Sequence, residues 1–290
     1  MTLSEEKLEL AHKQEFAQLV RAVNAPFSEY CFANLYLFRT QHDYRILRRD
    51  GLMFLQGITY DGERYVMPLF PLSAGNETIL REVMAEGFSL FPVAASDLSI
   101  FPESIYSYSF NVGDSDYVYK RERIATYPGR YLHKKRNLVK QYRTYAHRDE
   151  PYSCAGERDA LTILDEWLRL SENPVEDTDY EVCREALLRC DEMGLKGQIY
   201  YADAGSGEKP SGLLLGEELN DNTFVLHFAK GNISFKGIYA HMYMSLAESQ
   251  QLAKYDFLNF EQDLGKEGLK QAKSTYITDI MNDKYRVRLK

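Results

Sequence analysis

Apolar and polar positions alternate most clearly near the C-terminal end of the chain, where Tyr255–Glu261 reads Y-D-F-L-N-F-E. A period of two puts Leu258 and Phe260 on one face and Phe257, Asn259 and Glu261 on the other, with same-face neighbours about 6.8 Å apart. An amide and a carboxylate would then share one face at the end of a strand. Beyond Glu261 the period becomes helical: Gly265, Leu269, Ala272 and Tyr276 form one stripe, and Lys266, Lys270 and Lys273 another. Ligands of open α/β sheets bind where strands end, which makes Asn259 and Glu261 candidates for chemistry. The alternative is that they only cap the following helix.

The same reading gives the other elements. Residues 4–23 pattern as a helix opened by Ser4, with Leu8, Ala11, Phe16 and Leu19 apolar. Strands are expected at 45–47, 52–59 and 64–70, separated by Asp50-Gly51 and Asp61-Gly62 turns. A helix at 77–86, a strand at 88–93, a helix near Ser96 and a strand at 105–112 complete a first mixed sheet. Asp149–Gly156, with Pro151, looks like the passage between two halves, so the expected domains are 1–150 and 151–290. Helices at 158–171 and 179–193 then precede strands at 196–203, 212–218 and 223–230. A helix at 237–251 leads into the closing segment.

Three stretches carry a family resemblance: Ser28–Arg39 (S-E-Y-C-F-A-N-L-Y-L-F-R), Asp116–Asn137, and the closing N-F-E-Q-D-L-G-x-x-G-L-K-x-A-K-x-x-Y. Together they resemble the DUF2156 family, related to the C-terminal domain of phosphatidylglycerol lysyltransferases. The resemblance implies an α+β fold of two fused GCN5-related N-acetyltransferase (GNAT)-like domains, each a mixed, mainly antiparallel sheet flanked by helices. The order helix, helix, three strands, helix, strand, helix, strand in the second half agrees with it. It also implies an acyltransferase, with aminoacyl transfer from an activated ester to an amine or hydroxyl acceptor as the leading activity. A CoA-dependent N-acyltransferase and a non-catalytic GNAT-like binding protein are the alternatives.

Composition narrows the classes. With 290 residues, 44% of them apolar, the chain can build two cores. The four cysteines form no C-x-x-C pair, and Cys183 and Cys190 would lie about 10 Å apart on one helix, so neither disulfide nor zinc is expected. No apolar window is long enough to span a bilayer and the first ten residues are charged, so a cytoplasmic protein without stable membrane insertion is expected. Bulk phospholipid is correspondingly a less favoured acceptor than a peptide or small molecule. The net charge of −8 argues against DNA, yet Arg123–Arg148 holds eight Lys or Arg residues and no acid. On a helix over 130–143, Arg136, Lys140 and Arg143 would form a basic stripe able to hold a polyanion such as tRNA.

Motifs exclude more than they assign. No G-x-S-x-G elbow, phosphate-binding G-x-x-x-x-G-K-[ST] loop or H-E-x-x-H pair occurs. Acyl transfer needs a donor cradle, an oxyanion donor and a base. The helix expected to begin at Lys236-Gly237 could present backbone N–H groups to a donor, with Lys230 and Lys236 adding charge. Tyr239 stands where the acetyl-CoA loop of GNAT enzymes keeps a small residue, which favours an aminoacyl ester such as aminoacyl-tRNA over acetyl-CoA or another acyl-CoA. Glu261 and Glu217 compete as the base, Glu217 because it ends a central strand. Tyr276 could protonate a leaving group or simply pack with Leu269 and Ala272. His227, flanked by Leu226 and Phe228, reads as a core histidine or a base.

Overall fold

A computed structural model describes residues 3–171 and 173–290. They build two compact units, each assembled from separated stretches of chain. The first holds residues 1–117, 261–275 and 280–290, and the second holds 118–260 and 276–279. These are not the two consecutive halves that Asp149–Gly156 suggests. That passage contains an edge strand, and the chain returns to the first unit at its C-terminus.

In chain order the strands are β1 (Leu3–Lys7), β2 (Arg45–Arg49), β3 (Leu52–Ile58), β4 (Arg64–Pro68), β5 (Ser89–Val93), β6 (Tyr106–Phe110) and β7 (Asp116–Lys120). They continue as β8 (Ala146–Pro151), β9 (Lys196–Asp203), β10 (Lys209–Asn220), β11 (Thr223–Gly231), β12 (Phe257–Asn259), β13 (Ile280–Asn282) and β14 (Tyr285–Leu289). One seven-stranded sheet has the order β1-β2-β3-β4-β5-β14-β6; the other has β13-β7-β12-β11-β10-β9-β8. Both are mixed and mainly antiparallel, flanked by helices, and the fold is α+β.

Local chemistry explains the first meander. Asp50 and Gly51 both have positive φ (48° and 81°) and join β2 to β3 in a two-residue turn, where a type I′ turn demands left-handed backbone at both positions. After β4 the helix Glu77–Met84 carries the chain to β5, which pairs parallel with β4. The second unit repeats this plan. Antiparallel β9, β10 and β11 are followed by the helix Ile238–Glu248 and by β12, parallel to β11. In each sheet the strand beyond that parallel strand comes from a distant part of the chain: β14 beside β5, and β7 beside β12.

Phe54, Val66, Leu80, Val83, Leu90, Phe101, Tyr106 and Val287 anchor the first core. In the second unit Leu213, Leu214 and Leu215 are consecutive and fully buried, as expected for a central strand covered on both faces.

Two expectations change. Residues 4–23 are not one helix: β1 pairs with β2, a short 3₁₀ turn follows, and the helix starts at Lys13. The described residues of β1 are exposed apart from its pairing, so no buried stripe marked it as a strand. Cys154 and Cys190 form a disulfide with Cα atoms 5.8 Å apart. Spacing along a single helix could not reveal it, because Cys154 lies in the turn after β8. Disulfides persist in oxidising surroundings, so the cysteines do not argue for a reducing compartment. Cys31 and Cys183 are buried and lie outside the disulfide.

Candidate active site

Residues from all three family-like stretches meet in the first unit. Asp116 accepts from the Ser28 N–H (2.8 Å to Oδ2) and the Ser28 hydroxyl (2.9 Å to Oδ1). Lys284, fully buried, donates to Asp116 Oδ1 at 2.6 Å and to Glu29 Oε1 at 2.7 Å. Burial pushes the Glu29 carboxyl up to about 7, the Lys284 ammonium pulling it only partly back. Burial would depress Lys284, but Asp116 and Glu29 hold it above its ordinary value.

The closing motif forms a pinned loop beside this cluster. Glu261 and Leu264 adopt positive φ (59° and 55°), which non-glycine residues rarely do. The Asp263 carboxylate accepts from Tyr117 Oη (2.6 Å) and from the Gly265 N–H (2.8 Å), and Leu264 N–H donates to the Gly113 carbonyl. A side chain at Gly113 would come within 2.8 Å of the Gly265 nitrogen, so that approach requires glycine. Lys273 Nζ reaches back to the Gln262 carbonyl at 2.5 Å. Desolvation lowers Lys273 below the ordinary lysine range, opposed by Glu261, Asp116 and Asp263. Glu261 Oε1, half-buried, accepts from Asn34 Nδ2 at 3.2 Å. The contacts around this loop hold Glu261 and Leu264 in a backbone conformation that non-glycine residues rarely adopt.

Glu261 does not continue the alternation expected of it. β12 ends at Asn259, which is fully buried in the second unit, and the left-handed backbone at Glu261 redirects its side chain. Glu261 is not a helix cap either, since the next helix begins only at Glu267.

In the second unit Glu217 on β10 and His227 on β11 are partners, with His227 Nε2 3.0 Å from Glu217 Oε1 and the histidine side chain buried. Neighbouring Glu218 accepts from Tyr255 Oη (2.6 Å) and pairs with Lys254. The β10–β11 register slips between Leu215 and Gly216, leaving His227 as the extra residue on β11. A second buried histidine, His241, pairs with Asp149 at 2.8 Å and stacks on Tyr142.

The expected donor-binding residues are dispersed. Lys230 is buried, bonded to Asp179 (2.5 Å) and seated 3.7 Å from the Trp167 ring. Lys236 is exposed. Gly237 has φ 93° and caps the helix Ile238–Glu248, but a Cβ there would lie 2.0 Å from the Leu138 carbonyl oxygen. Its missing side chain admits the neighbouring helix. Tyr239 folds back, its hydroxyl accepting from the Gly231 N–H at 3.2 Å. On the helix His133–Tyr142, Arg136 donates to the carbonyls of Tyr127 and Gly129, Arg143 faces Glu248 at 3.6 Å, and Lys140 is exposed. Tyr276 follows the closing helix, which ends at Ser274, and packs with Tyr119, Tyr127, Tyr243 and Phe260. Burial raises its pKa well above the ordinary tyrosine value, which disfavours proton donation.

Residues 21–288 match the family model described as phosphatidylglycerol lysyltransferase, C-terminal. The chain belongs to this family. Its fold is similar to that of a conserved protein of unknown function from Bacteroides thetaiotaomicron, with a TM-score of 0.85, 22% identity and complete coverage of both chains. It is also similar to L-PGS from Bacillus licheniformis (TM-score 0.62, 10% identity, 95% of this chain and 91% of that one). FemX gives a TM-score of 0.63 at 10% identity, covering 99% and 97%. No curated protein matches the chain. At these identities the structures establish the fold, which is acyltransferase-like. Among the described residues no helix is long and apolar enough to cross a membrane.

Sequence reading missed Ser28, Glu29, Asp116 and Lys284 as members of the site. The first three lie inside the quoted stretches and could have been singled out as polar residues in otherwise apolar motifs. Lys284 lies outside them and only the fold reveals it.

Proposed function

We propose that this family member is an acyltransferase that moves an aminoacyl group from an activated ester, with aminoacyl-tRNA as the donor class, to an amine or hydroxyl of a lipid, peptide or small molecule. The observation that carries this reading is Glu261, a non-glycine residue in left-handed backbone on a loop pinned from both sides, with its half-buried carboxylate on Asn34. In this reading Glu261 takes the proton from the attacking amine or hydroxyl, or anchors the donor's α-ammonium, and Lys273 balances its charge. The Glu217–His227 pair is the second candidate base, favoured by its 3.0 Å contact. Acetyl-CoA is disfavoured because Tyr239 stands where the acetyl-CoA loop of GNAT enzymes keeps a small residue.

The test offers the protein lysyl- and alanyl-tRNA with phosphatidylglycerol vesicles or amine-bearing peptides, and follows label into the acceptor. Glu261→Gln is expected to lose about 10²–10⁴-fold in transfer, as for removal of a general base, with the melting temperature near wild type. Millimolar acetyl-CoA should leave the melting temperature unchanged. Loss of transfer in Glu217→Gln with full activity in Glu261→Gln would move the base to the histidine pair. A saturable acetyl-CoA shift, or no transfer from any aminoacyl donor, would overturn the donor assignment.

A further inference from the structure

We propose that Cys154, Cys190 and Asp191 form, once their disulfide is reduced, a binding site for one thiophilic divalent cation of the zinc class. The proposal is independent of the aminoacyl reading and lies wholly within the second unit. Cys154 begins the 3₁₀ turn that leads into the helix Glu157–Leu170, and Cys190 and Asp191 begin the short helix Cys190–Met193. Folding brings the two sulfurs and one Asp191 carboxylate oxygen within 4.8 Å of one another. Two thiolates and a carboxylate are a donor set that suits zinc and leaves the fourth tetrahedral position to water. The cysteines stand 36 residues apart on different elements, which hides the set from the sequence.

Further observations point to an ion rather than to a disulfide alone. Asp191 Oδ1 lies 3.0 Å from Cys154 Sγ. A disulfide sulfur carries no proton, so this contact sets two electron-rich atoms together, whereas a thiol proton or a cation would bridge them. Asp191 has no ion pair among the described residues, although its neighbours Glu185 and Glu192 both bind Arg189. Tyr152 is only 9% exposed, and its hydroxyl has no hydrogen-bond partner among the described residues. The charges of Glu157 and Asp191 both act on that hydroxyl, which makes it a donor at hand for a ligating carboxylate or a metal-bound water. Approach is open, since Asp191 is exposed and Cys154 half-buried, while Cys190 is buried.

The disulfide is the closed form of this site. A dithiol reductant supplies the two electrons that open it: its thiolate attacks Cys154 Sγ, the S–S bond breaks and Cys190 leaves as thiolate. The second thiol of the reductant then displaces Cys154, and the reductant ends as a cyclic disulfide whose two former protons reside on the cysteines. The cation replaces both thiol protons, so binding releases two protons and weakens as pH falls. Sulfurs that share one tetrahedral ion at about 2.3 Å stand roughly 3.8 Å apart, a separation that side-chain rotation supplies once the bond is broken.

The test adds Co²⁺ or Zn²⁺ to the whole protein, in its disulfide form and after reduction by a phosphine, which brings no thiol to compete for the metal. The reduced protein should show a thiolate-to-cobalt charge-transfer absorption and retain one equivalent of Zn²⁺ through gel filtration, read by elemental mass spectrometry. The disulfide form, with the same buried Cys31 and Cys183, should do neither. Asp191→Asn leaves the disulfide and the surface shape in place and should weaken Zn²⁺ binding at least about tenfold. Cys154→Ser should abolish retention. No retained Zn²⁺ in the reduced wild type, or an unchanged affinity in either variant, would overturn the assignment.

Discussion

Glu29 sits in an environment at odds with its chemistry: a buried carboxyl sharing Lys284 with Asp116, and with Oε2 lacking a hydrogen-bond partner among the described residues. Its pKa is raised from 4.5 to about 7 in the fold. The native state therefore binds more protons at this site than the unfolded state between those values. Stability from Glu29 is fully present below about pH 4.5 and is lost as pH rises through about 7, with an upper bound of about 3 kcal/mol. Glu29→Gln removes the titration while keeping the shape. Denaturant unfolding of both proteins at pH 5, 6, 7 and 8 should show the wild type losing stability relative to the variant as pH rises. Parallel profiles would mean that Glu29 stays ionised throughout.

At the scale of elements, Gly237 separates two accounts of one helix end. If it exists to admit a donor's phosphates, Gly237→Ala should weaken donor binding and spare the fold. The geometry argues for packing: φ is 93°, and the new Cβ would meet the Leu138 carbonyl oxygen at 2.0 Å. The left-handed penalty of about 1–2 kcal/mol and overpacking of about 1–3 kcal/mol predict a loss of about 2–5 kcal/mol, measurable by urea unfolding. What the sequence made legible follows the same line between local and tertiary causes. The β2–β3 hairpin and strands β9 and β11 could be read because turn residues and buried alternation are local signals. β8 and β1 were missed because both are exposed edge strands with no apolar face. Within the candidate site, Glu261 could be singled out by its motif, but its left-handed backbone could not, since it depends on contacts with Asn34, Gly113 and Tyr117 far away in sequence.

For the whole molecule, the decisive feature is where the last residues go. β14 is an inner strand, antiparallel to β5 on one side and β6 on the other, although it begins 192 residues after β5 ends and 175 after β6 ends. Val287 is fully buried among the first core's side chains. Arg286 binds Asp61, Glu63 and Asp114, and Lys284 closes the Glu29–Asp116 pair. A chain cut after Asn282 would expose two strand edges inside one sheet, remove core packing and strand two buried carboxylates without their cation. Losing the partner of a buried charge alone costs about 3–5 kcal/mol, comparable to the whole stability of many domains. We therefore predict that deleting residues 283–290 prevents the first unit from folding, and that a fragment ending at Glu150 fails for the same reason. Far-ultraviolet circular dichroism and amide hydrogen exchange would report it as loss of protection in β2–β6. Cooperative unfolding of the truncated chain with those strands still protected would show that β14 merely decorates the sheet. Its position between β5 and β6 argues that it completes it.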